Sequence, residues 1–540
     1  MKAKKLFATL LSCALVCGSM TGCQKEAEEK SETSKQTVNS VMESASSQTE
    51  AESSLFNTDG ELPIVNEPIT LKVLTQDDTT HATGHIYTSK IWDWLTEQTG
   101  IKFEIETYSA EDLKTKIPLI MAGDELPDIF LRCNFSYGDL ESYASAGKIL
   151  AMDDLVEEYG YYTKQVMEER EDAGVMYAAD GHIYGLPIFN STKDAGHPCF
   201  GINQEWLDNL GLQVPETMEQ LYDVLVAFRD QDANGNGDPN DEIPMSVLAT
   251  NMHFVNSMNS WVGIATYWPV TGVMFDDKDG EVYMVRTSDN YRYLLTWINR
   301  FYEEGLLDPE VFTQADAELT QKREENRVGV IQTYGNFDYT TKACGKKLSY
   351  TGLVLGSEVS EPVCGLAMPV NPNLFSISAT TEYPEICFLL GDYFYSEEAS
   401  WLSRYGVPEV TFEWIDEANY QLKTFTNPGN EYALMMNRWF RDDWTQYGTD
   451  ESIKEHREKV RANGKTAFQN YLVFSTEETD EISRLSTDMA TVLDEYYVHF
   501  ITGEKDIETE WDDYVKLVES LHLKELTDLY QTAYDRFYAD

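Results

Sequence analysis

Ile69, Leu71 and Val73 alternate with Thr70 and Lys72, the period of a strand with one buried face. Ile91-Trp92-Asp93-Trp94-Leu95 follows as an amphipathic helix that stops at Gly100, a C-cap residue. Ile101, Phe103 and Ile105 give a second alternating strand. Leu113 to Met121 reads as a helix, and Asp128-Ile129-Phe130-Leu131 as a short buried strand. Strand, helix, strand, helix, strand predicts an α/β layer with parallel strands. The alternation restarts after residue 200. Pro215-Glu216-Thr217 opens a helix, Thr217-x-x-Gln220 fits a capping box, and Leu221, Val224, Leu225 and Phe228 keep the spacing of one helical face. Further helices are expected around 289–304, 382–397, 479–499 and 512–537. The pattern is α/β in two units, with extra helices at the C-terminal end.

The first residues break this pattern. Lys2, Lys4 and Lys5 precede an apolar run from Leu6 to Val16, and small residues lead to Cys23. This is a secretory signal peptide, too short to span a bilayer comfortably. Met20-Thr21-Gly22-Cys23 resembles a bacterial lipobox, which implies that Cys23 receives a diacylglycerol and becomes the mature N-terminus. Residues 24 to about 62 are rich in Glu, Ser, Thr and Gln, and the run Gln24 to Ser54 has no aromatic residue. Such a segment buries too little apolar surface to offset its chain entropy, so a disordered tether is expected over 23–65.

Composition narrows the function classes. The 540 residues carry 93 Asp and Glu against 41 Lys and Arg, a net charge of −52. A chain of this length exceeds one ordinary core. The charge excludes most nucleic-acid binders and disfavours docking on an anionic membrane through a basic patch. The acid is spread along the chain, as expected of a self-repelling, soluble surface. Cys13 and Cys17 leave with the signal. Five cysteines then remain besides Cys23: Cys133, Cys199, Cys344, Cys364 and Cys387. An odd number cannot pair completely, and no CxxC occurs. Buried free thiols are expected.

One stretch carries metal chemistry. Asp230, Asp232, Asn234, Asn236 and Asp238 place oxygen-bearing side chains at every second position, with Gly235 and Gly237 between them and Asp241 and Glu242 closing the run. Calcium takes six to eight hard oxygens on a loop that curls around it, and the spacing resembles an EF-hand loop. Counting can start at Asp230 or at Asp232. The candidate ligands are Asp232, Asn234, Asn236, Asp238, Asp241 and Glu242, with the ion as a structural clamp. Catalytic motifs are missing: there is no HExxH and no GxSxG, and Gly464-Lys465-Thr466 lacks the earlier glycine of a P-loop. His81 and His85 are the only close histidine pair, in a Thr-rich loop. Trp261, Trp268, Tyr334, Trp414 and Trp439 lie in loop-like polar settings, where an aromatic face can stack on a sugar ring.

Four stretches together resemble the extracellular solute-binding proteins of ABC importers, the group that includes maltose-binding protein. The likeness is greatest to the large lipoproteins of Gram-positive bacteria that bind oligosaccharides. These stretches are Leu113 to Ile129 with Ala122-Gly123-Asp124 and Pro127-Asp128, Asp180-Gly-His-Ile-Tyr-Gly-Leu-Pro187, Asn203 to Pro244, and Tyr302 to Glu310. The resemblance implies two α/β lobes of the periplasmic-binding-protein type II kind, joined by hinge crossings, with ligand trapped between them. The first crossing is expected at Tyr184–Pro187, the second at about Cys364–Val370 and a third near 400–410. Lobe 1 would then hold 66–185 and about 366–405. Lobe 2 would hold about 187–362 and 408–540. By position in the family, Gln76 and Asp77, and Asn134 and Phe135, follow strand ends that face the cleft. Tyr334 lies at a cleft loop, and Trp268 and Trp414 are further ligand candidates. The expected protein is a monomer without catalysis, lipid-anchored outside the membrane, that hands an oligosaccharide to an ABC importer permease. A surface glycan-degrading enzyme and a peptide-binding or sensor lipoprotein are the alternatives.

Overall fold

In a computed structural model of the chain, the described residues are 55–77, 90–191, 199–248, 253–266, 272–333, 338–340, 347–366, 370–417, 421–424, 436–441, 444 and 451–538. The signal, Cys23, most of the expected tether, Cys344, Trp268 and Tyr334 lie outside them. No described helix is long and apolar enough to cross a membrane.

The alternating segments form the strands expected of them. β1 (Ile69–Asp77) pairs in parallel with β2 (Ile101–Ser109), Ile69 opposite Ile101, and with β3 (Ile129–Leu131). Between them run the helices Ile91–Thr99 and Ala110–Met121. The first ends as expected, with Gly100 at φ 77°. β4 (Leu186–Phe189) closes this stage, and the chain enters a second sheet at β5 (Cys199–Asn203) and β6 (Ile243–Ser246). A hairpin of β7 (Phe275–Lys278) and β8 (Glu281–Met284) follows. Next come β9 (Val328–Thr333), β10 (Asp338–Thr340), β11 (Lys347–Leu353) and the short β12 (Cys364–Leu366). β13 (Val370–Ile377) then returns to the first sheet, antiparallel to both β3 and β4.

Two five-stranded sheets result, in the orders β2-β1-β3-β13-β4 and β10-β11-β5-β9-β6. Each is the floor of one lobe. The parallel layer expected from the sequence holds for β1, β2 and β3 and for the pair β6 and β9. The other pairings within the two sheets are antiparallel. Lobe 2 has the larger core: Trp206, Phe228, Met245, Trp261, Ile298 and Phe301 pack in one cluster with Leu493, Trp511 and Tyr530 of the C-terminal helices. Those helices are Thr476–Thr502, Ile507–Ser520 and Leu523–Phe537.

Several expected boundaries move. The helix expected over 512–537 is two, because His522 adopts φ 65° and the chain turns there. The helix expected over 382–397 is also two, Pro384–Tyr393 and Glu397–Tyr405, with Ser396 capping the second by accepting the Ala399 N–H. Tyr184–Pro187 is not the first crossing. Leu186 and Pro187 sit in β4 at the edge of the first sheet, where a proline forfeits no interior ladder bond. The chain changes sheets between Phe189 and Cys199. The chain leaves the second sheet after β11 and rejoins the first at β13.

The third crossing is not near 400–410. The described residues 436–441 stay with lobe 1: Phe189 donates its N–H to the Arg438 carbonyl and accepts from Phe440 N–H, both at 2.7 Å. The hairpin of β14 (Phe412–Asp416) and β15 (Gln421–Thr424) joins Trp401, Phe440 and Trp444 in an aromatic cluster on the same lobe. The chain reaches lobe 2 again between Trp444 and the helix Glu451–Ala462, followed by β16 (Gly464–Thr466), which runs parallel to β12. At the other terminus the body starts earlier than residue 66. Phe56, Ile64 and Val65 are buried, and Phe56 bridges Val65, because these three apolar residues end the polar run.

Candidate ligand cleft and calcium loop

Parallel strands direct their carboxyl ends to one edge, and ligands of open α/β sheets bind beyond that edge. In lobe 1, β1 ends at Gln76 and Asp77, and β3 runs into Arg132, Cys133 and Asn134. Asn134 Nδ2 donates to Gln76 Oε1 at 2.7 Å. Gln76 is buried and Asn134 exposed, so the pair is anchored from below and open above. Asp77 lies beside Ser109 of β2. Asn134 has φ 57°, Arg132 φ 54° and, at the near end of β13, Asn373 φ 55°. Left-handed backbone at non-glycine residues is uncommon and concentrates at functional sites. Asn373 Nδ2 donates to the Phe135 carbonyl at 3.3 Å, and Arg132 N–H to the Leu374 carbonyl at 2.6 Å. Those bonds hold the turn.

Phe135 is a correction. It is 6% exposed and packs edge-on against Phe130 and Tyr143, centroids 5.5 and 5.7 Å apart. It supports the turn from the core and presents no face to a ligand. Trp261 and Trp439, read as open aromatics, are also buried. Trp261 packs on Phe200, and Trp439 lies under the Arg441 guanidinium at 4.5 Å. Trp414 is half-buried, 4.8 Å from Trp401 and 5.2 Å from Phe412. The structure therefore joins Gln76 to Asn134 and places Trp414 in a separate aromatic cluster. On lobe 2, Gln332 near the end of β9 donates to Ser257 Oγ at 2.9 Å. Neither Arg132 nor Gln332 was singled out in the sequence: one glutamine at a strand end and one arginine in a turn form no motif.

The candidate calcium loop leaves the helix Met218–Asp230. Asp230 is still helical and pairs with Arg229, which holds its carboxyl below the usual range. The web of side-chain bonds within the loop starts at Asp232. Its two oxygens accept the N–H groups of Asn236 and Gly237, at 3.0 and 2.9 Å. Asn234 Oδ1 also accepts Asn236 N–H, and Asp238 N–H donates to Asn236 Oδ1 at 2.7 Å. Asp241 accepts from the side chains of Asn234 and Asn236. Gly235 and Gly237 have φ 70° and 95°, conformations that the tight curl requires. Arg327 Nε to the Asp241 carbonyl and Asn209 Nδ2 to the Ala233 carbonyl fasten the loop to the body.

Glu242 Oε2 is buried and has no hydrogen-bond partner. Burial, and then the negative charge of Asp241 and Asp232, holds this carboxyl above its usual range. An unpartnered, buried carboxylate oxygen, with the other oxygen accepting Asn234 N–H at 3.4 Å, fits a divalent cation beside hard oxygens. Among the described residues, no three His, Cys, Asp or Glu side chains gather as a metal group. The loop's donor set is instead mixed, with Asn234 and Asn236 among the carboxylates. The four described thiols, Cys133, Cys199, Cys364 and Cys387, are buried and form no disulfide. Burial pushes that of Cys364 up to about 12.

The sequence profile of the bacterial extracellular solute-binding proteins matches residues 79–399. The chain belongs to that family. Among curated relatives of this solute-binding protein, the fructooligosaccharide ABC transporter substrate-binding protein FusA of Streptococcus pneumoniae is 27% identical over 486 residues, 83% of this chain and 86% of that one. Lipoprotein LipO of Bacillus subtilis is 22% identical, covering 81% and 88%. The structure of FusA with kestose superposes with a TM-score of 0.72 at 24% identity, covering 87% of this chain and 99% of that one. A solute-binding protein of Bifidobacterium longum subsp. infantis superposes with 0.75 at 21%, covering 87% and 98%. A FusA EF-hand mutant with fructo-nystose superposes with 0.71 at 24% identity. The solute-binding protein thus has the two-lobed fold of its family, with extra C-terminal helices.

Proposed function

We propose that this solute-binding protein is the extracellular, lipid-anchored capture component of an oligosaccharide ABC importer and that it performs no catalysis. The observation that carries the reading is the Asn134–Gln76 pair, an amide anchored by a buried partner at the carboxyl edge of the parallel strands. Amides and carboxylates at such an edge bond sugar hydroxyls in both directions, as donor and acceptor. Asp77 adds an acceptor. Trp268, Tyr334 and Trp414 are the aromatic candidates for stacking, and Phe135 holds the turn beneath. FusA is a fructooligosaccharide transporter protein over nearly the same length, which makes kestose and nystose the first probes.

Ligand touching both lobes stabilises the closed arrangement, which the permease then recognises. Calcium on the 232–242 loop clamps lobe 2 and takes no part in capture. Cys23 carries the lipid, the following polar run spaces the body from the membrane, and the body acts as a monomer. Membership of the extracellular solute-binding family and the likeness to an ABC transporter substrate-binding protein support the capture role.

The test is thermal unfolding of residues 56–540 against neutral and acidic oligosaccharides, with calcium present. A ligand that binds only the folded state stabilises it by about 2.7 kcal/mol at 100 times its dissociation constant. A rise of several degrees with one oligosaccharide class is expected. Folded, calcium-loaded protein that responds to no oligosaccharide overturns the carbohydrate reading. New reducing ends after incubation with a bound glycan overturn the non-catalytic one.

A further inference from the structure

The helix Thr476–Thr502 belongs to lobe 2 along most of its length. At about 1.5 Å per residue its 27 residues reach about 40 Å. Leu485, Met489 and Leu493 lie in the lobe 2 core. The fully buried Arg286 donates to the Leu493 carbonyl at 2.6 Å, to Asp494 Oδ1 at 2.7 Å and to the Gly272 carbonyl at 2.8 Å. This end of the helix is therefore rigid with lobe 2. Its first turn touches lobe 1. Thr476 Oγ1 donates to the Gly138 carbonyl at 2.9 Å, and Thr476 N–H to Glu141 Oε2 at 3.3 Å. Glu141 Oε1 also accepts Asp180 N–H at 3.2 Å, so one buried carboxylate ties two lobe 1 segments to the lobe 2 helix.

Gly138 makes the approach possible. A Cβ there would stand 2.8 Å from Thr479 Oγ1 and 3.2 Å from Thr476 Cα. Gly138 and Glu141 lie on the helix Tyr137–Ser145, which starts three residues after Asn134. Beside the contact is a cavity of about 680 Å³, lined by Glu171, Tyr177 and Ala178 of lobe 1 and by Val473, Ala533 and Phe537. The bonded contact is therefore local and flanked by space into which the lobes can turn.

We infer that the contact of Thr476 and Thr479 with Gly138 and Glu141 is an interlobe strap that sets the balance between open and closed lobes. It does so from outside the cleft. A hinge motion either keeps these bonds or breaks them, and their free energy therefore enters the equilibrium between lobe arrangements. Glu141 and Thr476 are positioning residues: they act on the cleft through the helix that follows Asn134. The inference rests on the hinge-closure reading.

The test compares ligand-free wild type, Glu141→Ala, Glu141→Gln and Thr476→Val in the full body. Small-angle scattering reads the lobe arrangement, and hydrogen exchange reads residues 137–145 and 475–480. Glu141→Ala is expected to change the open-to-closed ratio about tenfold, equivalent to about 1.4 kcal/mol. Its scattering profile then differs from wild type. Glu141→Gln, which keeps an acceptor oxygen, is expected to fall between them. Thr476→Val leaves the Glu141–Asp180 bond intact and decides the matter if Glu141→Ala unfolds. Scattering and exchange equal to wild type in Thr476→Val, and in Glu141→Ala where it folds, overturn the strap. Because the protein is ligand-free throughout, failure of kestose to bind bears on the proposed cargo and leaves this comparison unaffected.

Discussion

Asn134 combines two roles that a single substitution can separate. Its amide bonds Gln76, and its backbone sits at φ 57°. An alanine in the left-handed region costs roughly 1–2 kcal/mol, whereas glycine adopts it freely. Asn134→Gly is expected to weaken oligosaccharide binding about tenfold by calorimetry while the melting midpoint stays within about 2 °C. Asn134→Ala is expected to lose both affinity and midpoint. Equal affinities for wild type and Asn134→Gly would remove Asn134 from the cleft. Gln76 and Asn134 could be named only through the family resemblance, by their positions after expected strands. Their bond could not, because they stand 58 residues apart and only the pairing of β1 with β3 brings them together. Phe135 was misplaced for a related reason: neighbours in a turn can face opposite ways, and burial depends on what packs against them.

At the scale of elements, the calcium loop and the long helix make separate predictions. Chelator is expected to lower the melting midpoint of wild type, and calcium to restore it. A protein carrying both Asp232→Asn and Glu242→Gln should show neither response, since calcium needs the charge of its hard oxygens. A wild type indifferent to chelator and calcium would sink the structural-clamp reading. The loop was visible as a spacing of oxygens at every second residue. Its local bonding was not, because Asp230 and Asp232 look alike in sequence, whereas in the fold Asp230 pairs with Arg229 at the helix end. For the long helix, Arg286→Ala leaves the Leu493 and Gly272 carbonyls without this donor in the core. Its unfolding free energy in denaturant is expected to fall by about 3 kcal/mol. Arg286→Lys should recover only part, since an ammonium lacks the guanidinium's fork. A loss under about 0.5 kcal/mol for alanine would show that Arg286 does not anchor the helix.

The whole molecule carries a net charge of −52, which repels itself wherever the chain is compact. Raising salt from about 0.01 M to about 0.15 M shortens the screening length from roughly 30 to 8 Å. The melting midpoint is expected to rise by a few degrees over that range, with sodium chloride and without added calcium. A midpoint that falls instead would mean that paired surface charges outweigh the net repulsion.

Local pattern by itself determined much of this protein. Alternating residues made β1 and β2, the 3.6 period and the Thr217 cap made the helix Met218–Asp230, and the acidic balance argued against most nucleic-acid binders. Short motifs in order pointed to the family. Each of these properties is set by residues within a few positions of one another, or by a sum over the chain. Tertiary structure alone decided which lobe owns each segment. Residues 436–441 stay with lobe 1 because Phe189 donates to the Arg438 carbonyl and accepts from Phe440 N–H, a choice made across some 250 residues. β13 lies antiparallel between β3 and β4, while the helix Thr476–Thr502 spans from the lobe 2 core to Gly138. Such partners are chosen by which buried surfaces fit once the chain has collapsed, and no local period encodes that choice.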